Sequence, residues 1–196
     1  MHRRILGIDP GLTRCGVGVI EVGPDRRAHL VHYGVIRSST DAPIEQRLLT
    51  IGAGIAEALD TYSPTAVAVE RVFAQQNLST VMGTAQVSGL ALYSAASRGI
   101  PVALHTPSEV KAAVTGYGSA EKRQVQTMVA KILRLDELPS PADAADALAL
   151  AICHSWRGGA NPIAGAGDAG TAETPAQRAW RAAEKASSVA RRRLER

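Results

Sequence analysis

Short apolar runs separated by turn residues occupy the first 36 positions and predict three β-strands. Residues 5–8 form an apolar run that ends before Asp9, and a Pro-Gly turn signal follows. Residues 16–20 and 30–36 are two further runs with the length and composition of strands. Because the connections between the runs are short, we expect the three strands to form a meander at the start of the chain.

Helical and strand patterns alternate in the rest of the sequence. Apolar residues recur at helical spacing between positions 44 and 59. Residues 66–69 form an almost wholly apolar run that ends at Glu70, which is typical of a central strand covered on both faces. Further on, the pattern predicts a helix rich in small residues at 77–98 and a fifth strand at 102–104. Three more helices are predicted: one at 107–114, one that begins after an N-cap at Ser119, and one at about 142–156. This order predicts a layered α/β domain with a five-stranded sheet flanked by helices.

Charge is distributed unevenly along the chain. Residues 1–156 contain 14 Lys or Arg and 14 Asp or Glu, so the net charge of +4 belongs entirely to residues 157–196. The last segment begins with a run rich in Gly and Ala, which is typical of a flexible linker. We therefore expect one folded domain over residues 1–156 and a disordered basic tail over residues 157–196. Since the folded part is formally neutral, a nucleic-acid surface there requires local clustering of basic residues.

The two cysteines and the N-terminus indicate a reduced protein of the cytoplasm. Cys15 and Cys153 are far apart in sequence and lack the spacing of zinc ligands, so we interpret both as small residues of the core. The N-terminal apolar run is too short for a secretory signal or a membrane span. We expect no membrane partner.

Four acidic residues stand in apolar surroundings, where a charge is costly. Asp9 and Glu70 each end an apolar strand, and Asp143 and Asp146 lie three residues apart in an alanine-rich helix. Residues three apart share one face of a helix. In open α/β sheets, sites form at the carboxyl ends of strands, where Asp9 and Glu70 are expected. The pattern predicts that two strands and one helix bring four carboxylates to one place.

Clustered carboxylates repel one another unless they are protonated or bound to cations. Hard oxygen ligands suit Mg²⁺ or Mn²⁺, and a pair of such ions can activate water and stabilise a leaving oxygen in phosphoryl transfer. The alternative is that the acids are separate helix caps or surface ion pairs. A phosphate-binding P-loop is excluded, because Val17 and Gly18 occupy the places of its Lys and Ser or Thr.

Four blocks of sequence carry a further signal: Ile8-Asp9-Pro10-Gly11, Val69-Glu70-Arg71-Val72-Phe73, Gly118-Ser119-Ala120-Glu121-Lys122 and Asp143-Ala144-Ala145-Asp146-Ala147-Leu148-Ala149. In order and spacing, across about residues 3–156, they resemble the RuvC family of bacterial Holliday-junction resolvases. The resemblance implies an RNase H-like fold, a homodimer, and symmetric nicking of two strands of a four-way DNA junction. It implies Asp9, Glu70, Asp143 and Asp146 as catalytic, metal-binding acids, with Mg²⁺ or Mn²⁺ and two ions per site. It also implies work beside the RuvA–RuvB branch-migration complex.

Four further residues are candidate DNA contacts. Phe73 is the only phenylalanine and lies among polar residues; the resemblance implies an aromatic that stacks on an unpaired base. Lys111 and Lys122 match basic family positions that contact DNA, and Lys122 falls in the first turn of a predicted helix. Arg71, beside Glu70, is a weaker candidate. The histidines at positions 105 and 154 are interpreted as structural.

Taken together, the residues and the resemblance predict an endonuclease that resolves Holliday junctions in recombination and repair. Two alternatives stay open from sequence. One is a noncatalytic scaffold that binds junctions, which the presence of all four acids disfavours. The other is an RNase H-like nuclease that acts on RNA, which the Phe73 and Lys122 blocks disfavour.

Overall fold

Five strands form one mixed sheet in the computed structural model, which describes residues 3–72 and 78–157 of the 196-residue chain. Their order across the sheet is β3-β2-β1-β4-β5. β1 pairs antiparallel with β2, and β2 with β3, whereas β4 runs parallel to both β1 and β5. The strand bounds are Arg3–Asp9 (β1), Arg14–Val22 (β2), Ala28–Arg37 (β3), Ala66–Glu70 (β4) and Val102–His105 (β5). The predicted meander and the mixed five-stranded sheet are confirmed.

Helices cover both faces of the sheet. Their bounds in the described part of the chain are Ile44–Tyr62 (α1), Leu78–Ala96 (α2), Pro107–Thr115 (α3), Lys122–Leu133 (α4) and Ala142–Arg157 (α5). α1 and α2 pack on one face, and α3, α4 and α5 pack on the other. Among these helices, none combines the length and the apolar character needed to span a bilayer.

Alternation along β1 and β4 decides which side chains meet α5. Successive residues of a strand point to opposite faces. Leu6 and Ile8 are buried in the core beneath α1 and α2, while Ile5 and, on β4, Ala68 are buried in the core beneath α5. By the same alternation, Asp9 and Glu70 belong to the face that α5 covers.

Glycines on β1 and β2 let α5 lie directly on the sheet. A Cβ added at Gly7 would overlap the carbonyl oxygen of Ala147, and one at Gly16 would overlap the carbonyl oxygen of Asp143. At Gly18 the nearest atom would be the backbone nitrogen of Leu148, at 2.7 Å. Gly16 and Gly18 lie two residues apart on β2, and Gly7 is paired with Gly18 on β1. The three glycines therefore share one face of the sheet and form a strip without side chains beneath the helix, the glycine strip. The strip fixes the height of α5 above the strand ends that carry Asp9 and Glu70.

The predicted N-cap of α4 is wrong by two residues. Glu121, not Ser119, caps the helix, and its backbone N–H donates to Oε1 of Gln124 at 2.9 Å. The cause is the buried Ala120, whose N–H donates to the carbonyl of Tyr117 in a turn and leaves Ser119 exposed. Lys122 is consequently the first residue of α4, in the first turn as predicted.

The predicted boundary between the domain and the tail, after residue 156, nearly coincides with the end of the described residues at 157. All described residues belong to a compact unit that spans Met1–Ile163. α5 continues through Arg157, whose Nη1 donates to Oε1 of Glu109 at 3.0 Å. Residues 158–196 lie outside the described part, so the disordered basic tail stays a prediction.

Candidate active site

Asp9 and Glu70 lie side by side because β1 and β4 are parallel and in register. Ile8 pairs with Val69, and each acid is the next residue on its strand. A side-chain hydrogen bond joins the two carboxyls, and it raises the pKa of Asp9 while it lowers the pKa of Glu70. The predicted meeting of two strand-ending acids is what the structure shows.

α5 brings the other two acids to the same place. Asp143 lies in its first turn and Asp146 follows one turn later, so both project from one side of the helix. Their side chains are 27% and 29% exposed, whereas the neighbours Ala144 and Ala147 are fully buried against the sheet. The charges of Asp143 and Asp146 both act on Asp9. The four predicted acids therefore form one electrostatic cluster.

Loss of hydration and mutual repulsion raise the pKa of Asp9, Glu70 and Asp146. Burial, followed by the charges of Glu70 and Asp146, raises the pKa of Asp9 to about 8. Burial is also the largest cause that raises the pKa of Glu70 and of Asp146. For Asp146 this effect is opposed by the ammonium of Lys122. The nearby ammonium groups therefore compensate these carboxyls only in part, and a bound cation would provide further positive charge.

Lysines enter the site from α3 and α4. The Nζ of Lys122 lies 3.4 Å from Oδ2 of Asp146, and that carboxylate is the main cause that raises the pKa of Lys122. Lys111 acts through its charge on Glu70 and Asp146. Both predicted lysines line a cavity of about 250 Å³ together with Asp9, Glu70 and Asp146. A cation in the first turn of a helix is unfavourable alone, and the contact with Asp146 offsets that cost.

Arg14 is a member of the site that sequence reasoning missed. Its Nε donates to Oδ2 of Asp143 at 2.6 Å. The sequence shows only that Arg14 lies two residues before Gly16, and the structure adds that Gly16 pairs with Asp9. Residues two apart on a strand share a face. Arg14 therefore lies on the face that carries the acids.

The donor set fits a divalent metal ion. Carboxylate oxygens are the ligands that Mg²⁺ and Mn²⁺ prefer, and the raised pKa values mark buried acids that need a cation. In residues 3–72 and 78–157, no three His, Cys, Asp or Glu side chains are already grouped closely enough to hold an ion. Asp143 and Asp146 are instead paired with Arg14 and Lys122. Each of these carboxylates thus already has a cationic partner at one of its two oxygens, with which a metal ion would compete.

The remaining DNA-contact candidates stay predictions. The backbone N–H of Arg71 donates to the carbonyl of His105 at 2.8 Å, and its exposed side chain is not among those that line the cavity. Phe73 lies outside the described residues, so the structure neither supports nor contradicts its role.

The two histidines form a contact behind the site. Nε2 of His105 and Nδ1 of His154 are 3.2 Å apart, and His105 is only 6% exposed. Burial, followed by the charge of His105, lowers the pKa of His154 to about 4. Neither ring lines the cavity, which agrees with the structural interpretation. Cys15 and Cys153 are free, fully buried thiols, as predicted.

The chain is similar over most of its length to proteins of one family. The sequence profile described as "Crossover junction endodeoxyribonuclease RuvC" matches residues 5–154. A protein of that description from Leifsonia xyli subsp. xyli is 65% identical, and the alignment covers 100% of both chains. Another from Clavibacter sepedonicus is 62% identical over 93% of this chain and 97% of the relative.

Solved structures show the same architecture. The structure described as "T. thermophilus RuvC in complex with Holliday junction substrate" superposes with a TM-score of 0.75 at 37% identity. That superposition covers 80% of this chain and 94% of the other. The yeast mitochondrial Holliday junction resolvase Ydc2 superposes with a TM-score of 0.56 at 12% identity, over 79% of this chain and 80% of its own, which shows a shared fold alone.

Proposed function

The chain belongs to the RuvC family of crossover junction endodeoxyribonucleases, and we propose that Asp9, Glu70, Asp143 and Asp146 are its catalytic acids. The protein is an endonuclease that resolves Holliday junctions in DNA recombination and repair. One observation supports the site assignment above all others. Two in-register strand ends and one helix face bring the four carboxylates together, and within this cluster the pKa values of Asp9, Glu70 and Asp146 are raised.

The family is metal-dependent, and the proposed ions are Mg²⁺ or Mn²⁺, two per active site. The four acids would hold them, with Asp9 and Glu70 anchored on the sheet and Asp143 and Asp146 on α5. Bound divalent ions supply an activated water and stabilise charge on the phosphate and the leaving oxygen. The helix and the sheet keep the carboxylates in place, because the close contact at Gly16 ties Asp143 to β2.

Basic and aromatic residues are proposed to place the DNA. Lys111 and Lys122 line the same cavity as Asp9, Glu70 and Asp146, so their ammonium groups can contact the phosphates beside the scissile bond. Arg71 is proposed as a further phosphate contact, from its exposed position next to Glu70. Phe73 is proposed to stack on an unpaired base at the crossover, on sequence grounds alone.

A homodimer suits the proposed substrate. A four-way junction has near two-fold symmetry and two equivalent strands to cut, which matches an isologous dimer. Support comes from the outer side of α2, where Met82 and Tyr93 are 58% and 73% exposed and a Cβ at Gly89 would meet no atom within 4 Å. We propose this stripe as the dimer contact. Cytoplasmic work beside the RuvA–RuvB complex is proposed from the family alone.

Nicking of a synthetic four-way junction in Mg²⁺ tests the proposal. Wild type, Asp143→Asn and the exposed-site control Asp136→Asn are compared on the junction, a linear duplex and an RNA–DNA hybrid. Asp143→Asn should keep junction binding and lose at least about 100-fold in cleavage, since a metal ligand loses its charge. The control should cut paired, symmetric sites like wild type.

Three outcomes would contradict parts of the proposal. Unimpaired cleavage by Asp143→Asn would remove that residue from the catalytic acids. Junction binding by wild type without cleavage, even in Mn²⁺, would favour the scaffold. Preferential cutting of the hybrid would favour an RNA-processing nuclease.

A further inference from the structure

Arg14 forms a contact that the proposed catalytic roles do not explain. Its Nε lies 2.6 Å from Oδ2 of Asp143, within the distance of a charge-assisted hydrogen bond. Lys122 pairs with Asp146 at 3.4 Å, so each acid of α5 has a cation on it. Arg14 thus occupies one of the two Asp143 oxygens at which a metal ion could bind.

The backbones on both sides of this contact are fixed, whereas the side chains are exchangeable. The close fit at Gly16, two residues from Arg14, holds β2 against the backbone of Asp143. The side chains of Arg14 and Asp143 are 41% and 27% exposed, so solvent screens the ion pair. The guanidinium can therefore leave the carboxylate by side-chain rotation, without movement of the strand or the helix.

We propose that Arg14 is an exchangeable counter-ion of Asp143, which neutralises this carboxylate in the metal-free protein and leaves it when a divalent cation binds. The inference rests on the proposed function, because it requires Asp143 to be a metal ligand. A released guanidinium stays attached to β2 beside the site, and a DNA phosphate is its natural next acceptor. Arg14 is thus a positioning residue that links metal entry to DNA contact.

Competition for Asp143 predicts a measurable change in metal affinity. An exposed ion pair is weak, so its removal should tighten the binding of a competing ion by about two- to fivefold. The measurement is calorimetric titration of the DNA-free protein with Mn²⁺ at 0.15 M salt, for wild type and Arg14→Gln. Circular dichroism checks that both are folded.

Two controls separate exchange at Asp143 from a general change in charge. Arg37 is the cross-strand partner of Arg14 on β3, so Arg37→Gln removes the same charge one strand farther from the acids. It should leave the Mn²⁺ dissociation constant within about 1.5-fold, because salt screens exposed charges. In an Asp143→Asn background, Arg14→Gln should produce no tightening, since the contested carboxylate is gone.

A measurement on wild type needs no variant. The ¹⁵N–¹H resonance of the Arg14 Nε, hydrogen-bonded to Asp143 in the metal-free protein, should move towards that of free arginine when Mg²⁺ is added. The exchange would be overturned if Arg14→Gln bound Mn²⁺ no more tightly than wild type, or if the Nε resonance did not shift at saturating Mg²⁺. Either result would leave the assignment of the catalytic acids unaffected. A wild-type protein that binds no Mn²⁺ would overturn both the exchange and the proposed metal site.

Discussion

A neutral amide at position 9 should make the metal-free protein more stable at alkaline pH. Asp9 lies at the end of β1 beside Glu70, and the charges of Asp143 and Asp146 also act on it. Ionised Asp9 therefore repels three acids in a site with little water. Asn has nearly the same shape, and its amide can donate a hydrogen bond to the carboxylate of Glu70. The substitution removes the repulsion without removing the contact.

The size and sign of the effect follow from the pKa of Asp9. Folding raises this pKa from the ordinary 3.8 to about 8, so the folded protein binds more protons than the unfolded chain between these values. Wild-type stability is accordingly lost as pH rises from about 4 to about 8. At about 1.4 kcal/mol per pH unit, the upper limit is about 6 kcal/mol. Relaxation and water entry reduce such penalties, so we expect Asp9→Asn to gain about 2–4 kcal/mol at pH 8.5.

Urea unfolding in EDTA at pH values from 5 to 9 measures this difference. The gain of Asp9→Asn should grow steadily with pH and level off above pH 8. Asp136→Asn makes the same chemical change at an exposed position, and its difference from wild type should stay flat. Saturating Mg²⁺ should stabilise wild type more than Asp9→Asn, because the ion compensates the carboxylates. An Asp9→Asn protein that is no more stable than wild type at pH 8.5 would refute the electrostatic reasoning.

Two further substitutions test the packing and the DNA contact. Gly16→Ala should cost about 1–3 kcal/mol in thermal unfolding and reduce cleavage, because its Cβ would overlap the Asp143 carbonyl and displace α5. Gly52 lies within α1, and an added Cβ there would meet only the side chain of Leu90 on α2, at 3.5 Å, so Gly52→Ala should not destabilise. Equal behaviour of the two variants would contradict the close fit at Gly16. Phe73→Ala should weaken junction opening by about 1–3 kcal/mol, monitored by 2-aminopurine fluorescence, and spare binding to linear duplex; an equal loss on both would contradict base stacking.

The sequence predicts most of the fold because its apolar runs are sharply bounded. Runs that end at Asp9 and Glu70 become β1 and β4, and the alanine-flanked pair Asp143 and Asp146 becomes one side of α5. Strand alternation and helical periodicity are local rules, so the face that each acid occupies can be read without coordinates. Those rules do not give the register between β1 and β4. It is this register that places Asp9 and Glu70 side by side.

Contacts between distant residues decide the features that the sequence does not reveal. Arg14 and Asp143 are 129 positions apart, and their pairing depends on the depth to which the glycine strip admits α5. The N-cap of α4 shifts from Ser119 to Glu121 because Ala120 is drawn into the core, which capping preference alone does not predict. Local propensity selects candidates for such positions, and tertiary packing chooses among them.

The distribution of charge explains how a formally neutral domain can bind a polyanion. Residues 1–156 carry equal numbers of acidic and basic residues, yet four of the acids are gathered in one cluster with Arg14, Lys111 and Lys122 around it. Without metal, Arg14 and Lys122 are paired with carboxylates, which reduces the attraction that they offer to DNA. With the two proposed divalent ions in place, the same cluster would be net positive, and a released Arg14 could contact a phosphate. Part of the attraction for DNA would then come from the loaded site, so affinity should increase with divalent ions and decrease with salt.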